Sequence, residues 1–196
     1  MSTSATKYSD TQKKILTATL TLTAKNGFKA TTTKQIAQEA NINESTLFKN
    51  FASKTKVFAA IQEHETFIIQ QKIQKMLKQN FTDMQAFIRS TTEQVYAIFL
   101  AHSSYITIIL RELDNEILNI GKNSIFEYLV NTFALFLSEH YKQENVDYNT
   151  AMFMHISSLM VMVVNQTNHH ALTDDLHAPI HIEQISKFTH QMLQSI

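Results

Sequence analysis

Residues 44–50 read ESTLFKN, a run whose side chains suit contact with a polyanion. In a helix, 100° per residue turns Leu47 and Phe51 to one side and points Ser45, Thr46 and Lys49 to the other, with Phe48 and Asn50 on the flanks. Hydroxyls, an amide and an ammonium on one face can hold phosphate oxygens and meet base edges in a major groove. A second group offers different chemistry. His169, His170, Asp174, Asp175, His177 and His181 crowd into 13 residues, a density that suggests a metal site and hydrolysis. Pro179 falls between His177 and His181 and breaks the single helix that would bring them to one face, and no H-E-x-x-H pattern is present. This segment reads better as a solvated loop. With no glycine-rich phosphate loop, no cysteine and no nucleophile elbow, the chain is expected not to be an enzyme, and no catalytic residue, metal or cofactor is assigned.

The polar face must be held by neighbouring elements, and residues 31–54, TTTKQIAQEANINESTLFKNFASK, supply them. Thr32 is a good N-cap, and Gln35 three residues on can return the bond in a capping box. Ile36, Ala37 and Ala40 form an apolar stripe that stops at Asn41, a residue tolerant of left-handed backbone. Ile42 can plug the corner. Asn43 is a second N-cap for a short helix whose Leu47 and Phe51 turn inward. The pattern is a helix-turn-helix, although a lone pair of short capped helices also occurs in proteins that never touch DNA.

Charge favours the DNA reading. The whole chain balances 17 basic against 17 acidic residues, so net charge alone predicts no affinity for nucleic acid. Residues 1–60, however, hold nine lysines against Asp10, Glu39 and Glu44, a net of +6, which leaves −6 on the remainder. A basic head on an acidic body is the footprint of phosphate binding through one end.

These anchors resemble the N-terminal domain of the TetR family of one-component transcriptional regulators. The matching stretch runs from about Thr11 to Ile61: QKKILTATLTLTAKNGF with its Gly27-Phe28 ending, Thr31-Thr32 ahead of Ile36-Ala37, then STLFKNF and Ser53-Lys54. It departs from the family at Asn41, where glycine is usual, at Phe48, where tyrosine is usual, and at Asn50, where histidine is frequent. Phe48 lacks the phenolic hydroxyl that usually holds a backbone phosphate, whereas Asn50 can still donate a hydrogen bond. The resemblance implies that Thr32, Thr33 and Lys34 meet DNA from the start of the second helix and Glu44, Ser45, Thr46, Phe48, Lys49 and Asn50 from the third. It also implies a phosphate contact for Lys54. Glu44 has two readings, helix stabilisation at the first turn or acceptance of a bond from a cytosine amine.

With two glycines, one proline and 44% hydrophobic residues, the chain is expected to be all-α, with about nine helices. Three form a DNA-binding head, residues 1–53, and six a body, residues 54–196, joined through a long fourth helix. The expected body helices run to about 78, from 84 to about 101, from 103 to about 117, to about 143, from 149 to about 168, and from Pro179 onward. No apolar run reaches a membrane span and residues 1–10 have no signal-peptide core, so a soluble cytoplasmic protein is expected.

Aromatic and methionine residues in the body read first as packing. The resemblance adds a chamber for a small-molecule effector that shifts a two-state equilibrium and releases DNA. Its candidate lining is His64, Phe67, Phe99, His102, Tyr105, Phe133, Met152 and His155, with each histidine equally compatible with a core or surface role. AMFMHISSLMVMVVNQ, apolar nearly all round, and HIEQISKFTHQMLQSI sit where TetR-like proteins dimerise, so a homodimer through about residues 149–168 and 180–195 is expected. The resulting expectation is a ligand-responsive repressor on a palindromic operator. The alternatives are an architectural or division-linked DNA-binding factor and, from a different class, a metal-dependent hydrolase using residues 169–181. The effector, the operator and the genes controlled are not written in the sequence.

Overall fold

A computed structural model describes residues 8–115, 118, 124–141, 146–167 and 178–194. The described residues are all-α, with nine helices and no strand. They fall into two compact units, one comprising Met1–Thr66 with Thr107–Lys122 and the other Phe67–Ile106 with Asn123–Ile196.

The first unit begins with α1, Asp10–Asn26, opened by a capping box in which Ser9 Oγ accepts from the Gln12 N–H and Gln12 Oε1 accepts from the Ser9 N–H. It ends at Gly27, whose N–H closes onto the Thr23 carbonyl at φ 82° and ψ 161°. Short helices α2, Thr33–Glu39, and α3, Glu44–Asn50, follow, and then α4, Lys54–Met76, whose first part belongs here. Ile15, Leu16, Phe28, Ile36, Leu47, Val57, Phe58 and Ile61 are buried, and the Phe28 and Phe58 rings meet edge to face at 5.7 Å. Ile108 and Ile109 of α6, Ser103–Arg111, are buried as well.

In the second unit, α5 (Met84–Ala101) packs on α8 (Tyr148–Thr167) and α9 (Ala178–Gln194), and α7 (Ile125–His140) packs on α8. Asp83 caps α5 by accepting from the Ala86 N–H at 2.7 Å, which holds its carboxyl below the usual carboxylate range. The Phe87 ring stacks on Phe136 at 4.5 Å, with Phe81 edge-on to both.

The helix boundaries agree with the expected pattern to within two or three residues, except that α6 stops at Arg111 rather than near residue 117. The cause is local. Asn115 donates through both its backbone N–H and its side chain to Glu112, and this closes a turn where a helix would otherwise continue. No helix among the described residues is long and apolar enough to cross a membrane.

Candidate nucleic-acid interface

The α2–α3 pair is built by local chemistry. Thr32 Oγ1 accepts from the Gln35 N–H at 3.2 Å and Gln35 Oε1 accepts from the Thr32 N–H at 2.8 Å, so the expected capping box is present. After Ala40 the chain turns at Asn41, φ 53°, the one non-glycine residue with positive φ among those described. That conformation lets the Ile42 N–H reach the Ala37 carbonyl at 2.9 Å and satisfies the end of α2. Ile36 and Leu47 are fully buried and Phe51 nearly so, so the inner face is as expected. Asn43 differs: it occupies the N-cap of α3, but its side chain makes no capping bond. The backbone carbonyl of Asn43 accepts from Thr46 and Leu47 instead.

Ser45, Phe48 and Lys49 are exposed on the outer face, and Thr46 is half-buried beside them. Asn50 turns its amide back onto its own helix and donates to the Thr46 carbonyl at 2.8 Å. Phe48 is 48% exposed, an apolar ring where the family usually places a phenol. On α2, Thr32 and Lys34 are exposed, and Thr33 Oγ1 donates to Glu44 Oε1 at 2.5 Å, linking the first turns of the two helices.

Lys54 departs from its expected place at a phosphate. Its Nζ donates to the carbonyls of Phe28 and Thr31, each at 2.6 Å, and lies 4.2 Å from the centre of the Phe28 ring. Partial burial lowers the pKa of its ammonium, while the nearby Glu112 charge acts in the opposite sense. Two residues that sequence reasoning did not select complete this clasp on the α1–α2 corner. Glu112, 8% exposed, accepts from the Phe28 N–H at 2.7 Å, and Arg111 donates to the Ala24 carbonyl at 2.7 Å. The only sequence signal was an Arg-Glu pair near the end of an apolar helix, and such pairs are common on solvated surfaces.

The eight candidate effector residues are divided between the two units, His64 in the first and the other seven in the second. His64 belongs to the first unit, where its ring meets Tyr8 edge to face at 5.7 Å. Phe67 is exposed on α4, and His102 ends α5 with Nε2 3.1 Å from Lys72 Nζ. Phe99, Tyr105, Phe133 and Met152 are packed in the core of the second unit. His155 is buried between two threonines: Thr189 Oγ1 lies 2.9 Å from Nδ1 and Thr92 Oγ1 lies 3.4 Å from Nε2. Burial depresses its pKa to about 4, so the ring is neutral. Two grooves among the described residues of this unit are lined mainly by other residues. One, of about 460 Å³, lies between α5 and α9 along Arg89, Tyr96, Ser186 and His190, and the other, of about 520 Å³, lies between α8 and α9 along Met154, Val161, Phe188 and Met192.

Of the histidine- and aspartate-rich segment, His169, His170, Asp174, Asp175 and His177 lie outside the described residues, and His181 lines the α8–α9 groove. Among the described residues no group of three or more His, Cys, Asp or Glu side chains is placed to hold a metal ion.

These features define an all-α protein with a helix-turn-helix in a basic N-terminal region. Residues 15–61 match the family described as bacterial regulatory proteins, tetR family. Over 51 residues the chain is 47% identical to the uncharacterized HTH-type transcriptional regulator YvkB of Bacillus subtilis (strain 168); the match takes in 26% of this chain and 27% of that relative's length. The fold is shared more widely. The fatty acid degradation regulator FadR from Bacillus halodurans superimposes with a TM-score of 0.70 at 20% identity, covering 95% of this chain and 96% of its own. A TetR-like transcriptional regulator from Rhodococcus sp. RHA1 gives 0.74 at 15% identity, covering 95% and 97%.

Proposed function

We propose that this chain is a homodimeric, ligand-responsive transcriptional repressor that binds a short palindromic operator and leaves it when a small-molecule effector binds. The observation that carries this reading is the α2–α3 pair: Asn41 makes the bend, Leu47 is fully buried, and Ser45 and Lys49 are exposed on the opposite side of α3. The proposed division of labour gives residues 1–53 to DNA and residues 54–196 to effector binding and dimerisation. Thr32, Lys34, Glu44, Ser45, Thr46, Phe48, Lys49 and Asn50 are the proposed contacts, and Lys54 supports the head through the carbonyls of Phe28 and Thr31.

Dimerisation is supported by the α8–α9 face. Met154, Val161 and Phe188 are 43%, 40% and 58% exposed along one groove, an apolar surface of the kind a second copy would cover. Two heads related by a two-fold axis would read half-sites about 34–36 Å apart. The proposed place of action is the cytoplasm.

Mapping of bound sites across the genome, combined with transcript measurements after deletion, tests this reading. Binding at one or a few promoters with raised expression of the adjacent genes is the expected result. Many dispersed sites without any change in expression would favour an architectural factor instead.

A further inference from the structure

We infer that Glu44 selects cytosine in the operator and that Thr33 is the positioning residue that aims it. This rests on the head being the DNA-binding surface and names what one part of that surface reads. Glu44 stands exposed at the start of α3, on a chain segment whose net charge is strongly positive. A carboxylate facing a duplex is repelled by every phosphate, so a favourable contact requires a base edge that donates.

The hydrogen bond from Thr33 Oγ1 to Glu44 Oε1 spans the two helices, and among the described residues Thr33 is the one hydrogen-bond partner of this carboxylate. A threonine hydroxyl has one proton to give. Here that proton goes to Glu44, so Thr33 does not donate to a phosphate while the bond persists. An exposed glutamate otherwise samples many rotamers, and ordering it before binding removes part of the entropic penalty of binding. Lys34 and Lys49 remain exposed nearby in the sequence to hold phosphates.

The base follows from the edges that a major groove presents. Guanine and thymine show acceptors, which a carboxylate repels. Adenine shows its N6 amine beside the N7 acceptor, whereas cytosine shows its N4 amine with no acceptor of its own. A carboxylate restrained by Thr33 is therefore matched to cytosine.

The test is selection from a randomised duplex library on the purified full chain, followed by titration of the selected duplex and its single-base variants. The wild type is expected to prefer cytosine by about tenfold at one position per half-site. Glu44→Gln is expected to shift that position to adenine, which a carboxamide can hold through N6 and N7, and to leave the other positions unchanged. Thr33→Val keeps the side-chain shape without the donor, and it is expected to weaken the cytosine preference at that position several-fold. Identical base choice by Glu44→Gln and the wild type overturns the assignment, and an unaltered preference in Thr33→Val overturns the positioning role. A wild-type chain that enriches no sequence overturns the DNA-binding reading itself, a failure distinct from both.

Discussion

Two lysines five positions apart have been given different work by their surroundings. Lys49 projects from the outer face of α3, whereas Lys54 ends on the carbonyls of Phe28 and Thr31. Lys49→Ala is expected to weaken binding to any duplex several-fold with an unchanged melting temperature. Lys54→Ala leaves two carbonyls without their charged donor and is expected to lower stability by about 1–2 kcal/mol. Paired titrations and thermal melts separate the two effects, and equal melting temperatures would refute the clasp role. His155 makes a pH prediction. Above about pH 6.5 neither the folded nor the unfolded chain protonates this ring. Below that value the unfolded chain gains a proton that the folded chain refuses until its pKa of about 4. The neutral burial of His155 is thus fully tolerated at neutral pH, and stability falls as the pH drops through that window, by about 2 kcal/mol between pH 6.5 and 5. Denaturant unfolding of His155→Gln at the same two pH values should lack this increment.

Among the elements, turns and caps were the most legible, because their chemistry lies within a few residues. Thr32 with Gln35 and the bend at Asn41 could be read directly from sequence, and the structure has both. Asn41→Gly should keep stability within about 0.5 kcal/mol, whereas Asn41→Val should lose about 1–2 kcal/mol, since a branched side chain opposes left-handed backbone. Gly27 is stricter, because its φ and ψ fall in a region essentially reserved for glycine. An added Cβ would also lie 3.3 Å from Glu112 Oε1, an atom held in place by the Phe28 N–H. Gly27→Ala is expected to cost about 1–3 kcal/mol in a chemical melt, and loss of less than 0.5 kcal/mol would argue against this account. The Glu112 contact was not legible, because its partner lies 84 residues away and local patterning carries no signal over that distance. Effector residues suffered similarly: aromatic and methionine side chains at helical spacing look the same in sequence whether they line a chamber or fill a core, and Phe99, Phe133 and Met152 are buried.

For the whole molecule, the balanced total charge hides a basic end that should make DNA affinity fall steeply with salt. The apolar α8–α9 face leads to an expectation about assembly. Val161→Glu combined with Phe188→Glu should convert a dimer to monomers in sedimentation experiments and abolish palindrome binding while preserving helical content; a persistent dimer would move the interface elsewhere. Lys54, Arg111 and Glu112 all meet main-chain groups: the carbonyls of Ala24, Phe28 and Thr31 and the N–H of Phe28. Main-chain groups persist through substitution, so the bond from Arg111 does not depend on which side chain occupies position 24. A substitution there can therefore be accepted without loosening the corner, which leaves the proposed DNA-facing residues free to vary on an unchanged support.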